Sequence, residues 1–168
     1  MKTRTRRDVL LLAGLTLVSV GAARAETPAG PVILTVKGKI GGSDSGTSEF
    51  DLAMLEALPK TSFKTSSPWT EAGTSFDGVS LKDLAQAVGA KGTKVTARAL
   101  NDYASSFPLD EAAASGCIVA YRMNGEVMTP RDKGPLWIIY PFDDRPELKT
   151  ETNYSHCVWQ LAVIEFTD

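Results

Sequence analysis

One histidine, His156, and two cysteines, Cys117 and Cys157, are all the imidazole and thiol groups this chain contains. Zinc and copper sites need such residues in clusters, and three ligands this scattered form none. With a single histidine there is also no catalytic dyad placed by a known motif, since Ser155 is merely the neighbour of His156. A nucleophile elbow, a glycine-rich phosphate loop and convincingly spaced paired carboxylates are absent as well. The longest apolar run, residues 9–20, falls short of the ~20 residues that a bilayer-crossing helix requires.

That run belongs to an N-terminal address. Lys2, Arg4, Arg6 and Arg7 form a basic leader, the apolar run follows, and Ala23-Arg24-Ala25 supplies a small-x-small cleavage pattern. Residues 1–25 therefore read as a signal peptide and residues 26–168 as the domain it delivers to the bacterial periplasm. A retained anchor is the competing reading, and the shortness of the run speaks against it. Thr5-Arg6-Arg7-Asp8-Val9-Leu10 loosely matches a twin-arginine export signal; paired arginines also occur in ordinary secretory leaders, so the route stays open. Without the leader, thirteen basic residues face nineteen acidic ones, a net charge of −6. Such a domain has no electrostatic footprint for nucleic acid or an anionic membrane. In an oxidising compartment Cys117 and Cys157 either pair as a disulfide or are small buried hydrophobes on two strands.

What the chain does have is a succession of short periodic segments. Residues 31–38 predict a first strand, 41–46 a glycine/serine loop, and 50–58 a helix stopped by Pro59. Residues 62–66 suit a short strand. Ser80 is a good N-cap for a helix with Leu81, Leu84, Ala85 and Val88 on one face and Gly89 at its end. Residues 93–100 predict a strand and 109–115 a short helix. Residues 117–122 and 127–128 flank Asn124-Gly125, a tight-hairpin signal. Strands at 136–140 and 158–166 complete the chain. The class is α+β, mostly β with short helices, in a single domain.

The order of local motifs carries more than any one of them. Trp69 is followed by Phe76-Asp77-Gly78-Val79-Ser80-Leu81-Lys82-Asp83-Leu84, then Asn101-Asp102-Tyr103, then "AYRMNGE" at 120–126 and "RDKGPLWIIYP" at 131–141. From about residue 60 to 141 this series resembles the molybdopterin-binding domain of the sulfite oxidase family. The resemblance implies that family's fold, with a pterin-accepting cleft. Two departures stand out. The family's enzymes hold molybdenum with a cysteine thiolate shortly before the tryptophan, where this chain has Thr65 in Phe63-Lys64-Thr65-Ser66-Ser67-Pro68-Trp69. Trp137 stands where the family usually has an arginine, removing a cation for the cofactor's phosphate.

A hydroxyl does not replace a thiolate for molybdenum, so the expected ligand is a reduced pterin of tetrahydropterin type without the metal. The chain is similar to a subset of small periplasmic proteins that bind reduced pterins and act with a membrane sensor. The implied function is non-enzymatic: reporting pterin state to the periplasmic domain of a membrane-bound diguanylate cyclase/phosphodiesterase that controls cyclic di-GMP. A molybdopterin-dependent oxidoreductase, or a subunit of one, is the alternative, and an interaction module with an empty cleft is a third.

A pterin is flat, with a donor–acceptor edge, so its site needs a stacking face and acceptors. Asp102 is the charged candidate for the ring's 2-amino and N3 protons, with Asn101 and the Tyr103 hydroxyl for its carbonyl edge. Alternatively, Asn101-Asp102 is an ordinary turn. Thr65, Ser66 and Ser67 are candidates for the side chain of the pterin, or else strand-end hydroxyls. Trp69 is a stacking wall or a core plug, whereas Trp137 and Trp159 read as core. Arg131 and Lys133 are candidates for the ligand's outer end, against a solvated loop. Arg122 is expected on the exposed face of its hairpin.

Overall fold

The computed structural model describes residues 27–41 and 46–168. The signal peptide expected at 1–25 and most of the expected loop at 41–46 lie outside the described residues. Among the described residues, ten strands form two sheets. The first runs β2(Thr47–Phe50), β1(Leu34–Gly38), β10(Leu161–Thr167), β5(Lys94–Ala99) and β6(Ala104–Pro108) in that order. The second runs β3(Lys60–Ser67), β4(Thr70–Ser80), β7(Ile118–Met123) and β8(Glu126–Val127), with β9(Trp137–Ile139) also paired to β7. The helices α1(Leu52–Glu56), α2(Leu81–Ala87), α3(Leu109–Ser115) and α4(Glu151–Ser155) are all short. The mostly β, single-domain α+β architecture expected from the sequence is the one observed.

Burial explains which segments became strands. In β1 only Leu34 and Val36 are buried, the period-two pattern of a sheet with one covered face. Residues 118–121 of β7 and all of β9 are buried, so these strands are covered on both faces and read as continuous apolar runs. The two sheets meet where Ile138 N–H donates to the Val158 carbonyl at 3.0 Å and Trp137 bridges to Trp159.

Turn chemistry is equally local. Ser80 caps α2 as expected: its Oγ accepts from Asp83 N–H at 3.0 Å and donates to the Asp83 carboxylate at 2.6 Å. Asn124 and Gly125 both take positive φ, 53° and 83°, in the tight turn joining β7 to β8. Asp51, only 4 % exposed, caps α1 through Met54 N–H at 2.8 Å and also accepts from Ala29 and Gly30 N–H at 2.9 and 2.8 Å. Those amides hold its carboxyl below the usual range, Met54 N–H most of all, against the opposing effect of burial.

The structure also corrects the sequence reading. The helix expected from residue 50 begins only at Leu52, because Phe50 pairs with Leu34 at the end of β2. The strand expected at 62–66 is the eight-residue β3. Arg122 is half-buried rather than simply exposed, and its guanidinium pairs with Glu56 at 2.7 Å.

Gly78 sits at a register shift between β4 and β7. A Cβ there would lie 2.3 Å from the Val119 carbonyl oxygen and 2.7 Å from Ala120 Cα, both backbone atoms that cannot swing aside. Gly78→Ala should therefore lower stability by about 1–3 kcal/mol, read as a lower urea midpoint. An unchanged midpoint would show that the two strands part without cost.

Candidate functional site

The β3–β4 turn presents the central ring of the site. Ser67 Oγ accepts from Trp69 N–H at 3.2 Å and shares a 2.8 Å hydrogen bond with Thr70 Oγ1, clamping the turn around Pro68 and Trp69. Trp69 then meets three rings edge-to-face: Trp159 at 5.3 Å, Tyr154 at 6.0 Å and Trp137 at 6.2 Å between centroids. One ring comes from the segment before β10, one from α4 and one from β9.

On one side of Trp69 lies a cavity of about 360 Å³, lined also by Asn101, Tyr103, Glu151, Tyr154 and Trp159. The turn between β5 and β6 supplies Asn101 and Tyr103. Asn101 Oδ1 accepts from Tyr103 N–H at 3.1 Å, and the Tyr103 hydroxyl donates to the Ser155 carbonyl at 2.9 Å, fastening this turn to the end of α4. On the other side lies a more polar cavity of about 340 Å³, where Arg131, Asp132 and Lys133 join Glu71 and the wall of Trp137. Lys133, at φ 69°, places its Nζ 5.8 Å from the Trp137 ring centroid. Gln160 ties the two sides together. Its N–H donates to the Lys133 carbonyl at 2.8 Å, its Nε2 to the Pro130 carbonyl at 2.8 Å, and its carbonyl accepts from Leu100 N–H at 2.9 Å.

Of the residues selected from sequence, Trp69, Asn101 and Tyr103 thus share one cavity, and Arg131 and Lys133 share the adjoining one with Trp69. Asp102 stands outside both linings, exposed at the turn apex with φ 66°. Thr65, Ser66 and Ser67 also lie outside the linings. Thr65 is fully buried, its Oγ1 accepting from Asp143 N–H and donating to the Ser66 carbonyl, both at 3.2 Å. Ser66 gives its N–H and hydroxyl to the Asp143 carboxylate at 2.7 and 2.6 Å. Those bonds, Ser66 foremost and then Lys149, hold the Asp143 carboxyl below its usual range.

Sequence reasoning missed Glu151, Tyr154 and Trp159. The first two stand on a five-residue helix with no buried residue, which leaves no apolar period to see. Trp159 reads as core by its apolar neighbours, yet it is half-buried and forms a cavity wall. Trp137, in contrast, is wholly buried, and its indole N–H has no acceptor among the described residues. His156 faces elsewhere: it packs, tilted, on Phe107 at 4.6 Å and meets the Tyr140 hydroxyl at 3.4 Å.

Residues 39–142, more than half of the chain, match the family described as the oxidoreductase molybdopterin binding domain. The chain belongs to that family. Among solved structures it is similar to the sulfane dehydrogenase SoxCD from Paracoccus pantotrophus, with a TM-score of 0.59 and 18 % identity. That match covers 80 % of this chain but only 38 % of the other, and at this identity it shows the fold alone. A comparison with curated proteins finds no match.

Membership in the oxidoreductase molybdopterin binding domain family raises the question of fit to its cofactor. At the position where the resemblance puts the molybdenum ligand, Thr65 offers a hydroxyl already engaged on both sides. Neither cysteine offers a thiolate. Burial pushes the Cys117 thiol up to about 12, and the same desolvation raises Cys157. Both are buried free thiols, 1 % and 2 % exposed, hydrogen-bonded to the Ala112 and Asn153 carbonyls. No group of three or more metal-ligating side chains occurs among the described residues. The described side chains do not fit a cysteine-ligated molybdenum.

The state of the thiols is directly measurable. In native protein a small disulfide reagent at mildly alkaline pH should leave both cysteines unmodified while the urea-unfolded chain reacts at both, since the thiolate is the nucleophile. Rapid modification of Cys157, which touches the aromatic cavity, would restore it as a candidate metal ligand.

Proposed function

We propose that this domain binds a reduced pterin in the aromatic cavity, without molybdenum and without catalysing a reaction, and reports the ligand to a membrane partner. The cavity carries this reading. It sets four aromatic rings, Trp69, Tyr103, Tyr154 and Trp159, and a few polar groups around a volume suited to a bicyclic ring. The engaged Thr65 hydroxyl supports the metal-free half. The polar cavity with Arg131 and Lys133 adjoins across Trp69, within reach of a ligand's outer end. The proposed setting is the periplasm, reached through the signal peptide at 1–25, and the proposed partner is the periplasmic domain of a cyclic di-GMP-metabolising sensor.

A second reading has its own support. The family is an oxidoreductase domain family, so a molybdopterin-dependent oxidoreductase, or a subunit of one, stands beside the pterin reporter. Elemental analysis separates them. Protein isolated from the periplasm of a molybdate-replete host should contain molybdenum far below one metal per chain, and mass spectrometry of its bound small molecules should return a pterin. Stoichiometric molybdenum would establish the oxidoreductase reading instead.

Reporting requires the partner to bind loaded and empty forms differently, since equal binding shifts no equilibrium. Interferometry of the pterin-loaded and stripped protein against the sensor's periplasmic domain should show about tenfold tighter binding with pterin. That is roughly 1.4 kcal/mol of coupling. Equal affinities would remove the reporting mechanism.

A further inference from the structure

The aromatic cavity contains one carboxylate, and it is not the one chosen from sequence. Glu151 begins α4 and lines the cavity with Trp69, Tyr154 and Trp159. Its side chain is exposed and has no hydrogen-bond or ion-pair partner among the described residues. Of the other acids nearby, Glu71 lines only the adjoining polar cavity, and two more are committed elsewhere. Asp143 is held by Ser66 and by Lys149 at 3.0 Å, and Asp132 accepts from the Thr129 hydroxyl at 2.7 Å. Asp102 is outside the lining.

Resting on the pterin reading above, we propose that Glu151 reads the donor edge of the bound ring. Its two oxygens accept from the ring's N3–H and 2-amino group while the ring packs on the aromatic lining formed by Trp69, Tyr154 and Trp159. The chemistry favours this pairing. The two donors lie parallel on one edge, spaced to meet the two oxygens of a single carboxylate, as a guanidinium does. The bond is charge-assisted, because the carboxylate accepts from both donors. A ring with a carbonyl at C2 would turn an oxygen toward the carboxylate, and a site built to accept a proton rejects such an analogue strongly. Glu151 is then the specificity-determining residue of the cavity.

Calorimetric titration with a tetrahydropterin and with its 2-oxo counterpart, a tetrahydrolumazine, tests the assignment. The native protein should prefer the pterin by at least about tenfold. Glu151→Gln should weaken pterin binding about 10- to 100-fold and bring the two ligands to within about twofold of each other. Asp102→Asn should keep the native preference, and unfolding midpoints confirm that both variants fold. A Glu151→Gln protein that keeps the preference, or loses affinity for both ligands equally, overturns the assignment and leaves the pterin reading standing. Loss of the preference in Asp102→Asn overturns it in favour of Asp102. A native protein that binds neither ring overturns the pterin reading and this assignment with it.

Discussion

The edge-to-face packing of Trp69 against Trp137, Trp159 and Tyr154 joins four separate parts of the chain. Trp69 rides on a turn of the second sheet, Trp137 on β9 beside β7 of that sheet, Trp159 on the approach to the first sheet and Tyr154 on α4. Aromatic pairs of this geometry contribute about 0.5–1.5 kcal/mol each beyond their buried area. Phe76 extends the cluster into the core, meeting Trp137 at 5.5 Å and 88°. A wall built this way is set before any ligand arrives, because moving Trp69 would unpack three neighbours at once. Preorganisation of that kind lowers the ordering cost of binding. It also explains why two cavities of different character share one residue: Trp69 is the partition between an aromatic chamber and a polar one.

Thr65 and Trp137, the two departures from the family pattern, act in the same direction. A thiolate at residue 65 would need room and an open face. Thr65 instead spends its hydroxyl on the Asp143 amide and the Ser66 carbonyl, which welds the end of β3 to the 143–149 segment. Trp137 exchanges a cation for a large ring that fills the space between Trp69 and Phe76. It does so at the expense of a buried indole N–H without an acceptor among the described residues, an arrangement that ordinarily costs about 1–3 kcal/mol. That penalty is tolerable where the ring's apolar contacts exceed it. On the resemblance read from the sequence, both residues put packing and internal hydrogen bonds where the family's metal and phosphate contacts would stand. They leave the aromatic chamber untouched.

Most of the scaffold was legible because it is written in local chemistry. Ser80 with Asp83, Asn124-Gly125, and the apolar runs of β7 and β9 each specify their own geometry within a few residues. The segments that escaped depend on distant partners. β4 contains two glycines and no clean alternation, and it is a strand because β3 and β7 flank it. β6, with the sequence ASSFP, is an edge strand whose only pairing is with β5. The site divides the same way. Trp69, Asn101 and Tyr103 could be named because each lies in a motif, whereas Glu151 and Tyr154 reach the cavity only through the docking of α4. Thr65, Ser66 and Ser67 were visible as hydroxyls, but their engagement with Asp143 and Thr70 is a tertiary fact that spacing does not encode.

The docking of α4 bears on how occupancy of the chamber could be felt outside it. The helix has no buried residue of its own, and besides the packing of Tyr154 on Trp69 and Phe142 it is held at its ends. The Thr150 hydroxyl caps it through Asn153 N–H at 3.1 Å, Asn153 Nδ2 donates to the Leu148 carbonyl at 2.9 Å, and the Tyr103 hydroxyl grips the Ser155 carbonyl. Elements with few buried apolar contacts open and shift at the least free-energy cost. Glu151 and Tyr154 face the chamber, while the next residue after the helix, His156, lies on Phe107 of β6, where burial lowers its basicity. Under the proposed assignment, a ligand that engages Glu151 and Tyr154 acts on a short helix bonded at its far end to Tyr103. Tyr103 is 48 % exposed and Leu100, in the same turn, 57 %. Ligand contact and exposed apolar surface are thus connected through Tyr103, which lines the chamber and whose hydroxyl holds the Ser155 carbonyl. Under the reporter reading, Tyr103 is the route by which a filled chamber presents a different surface to a partner.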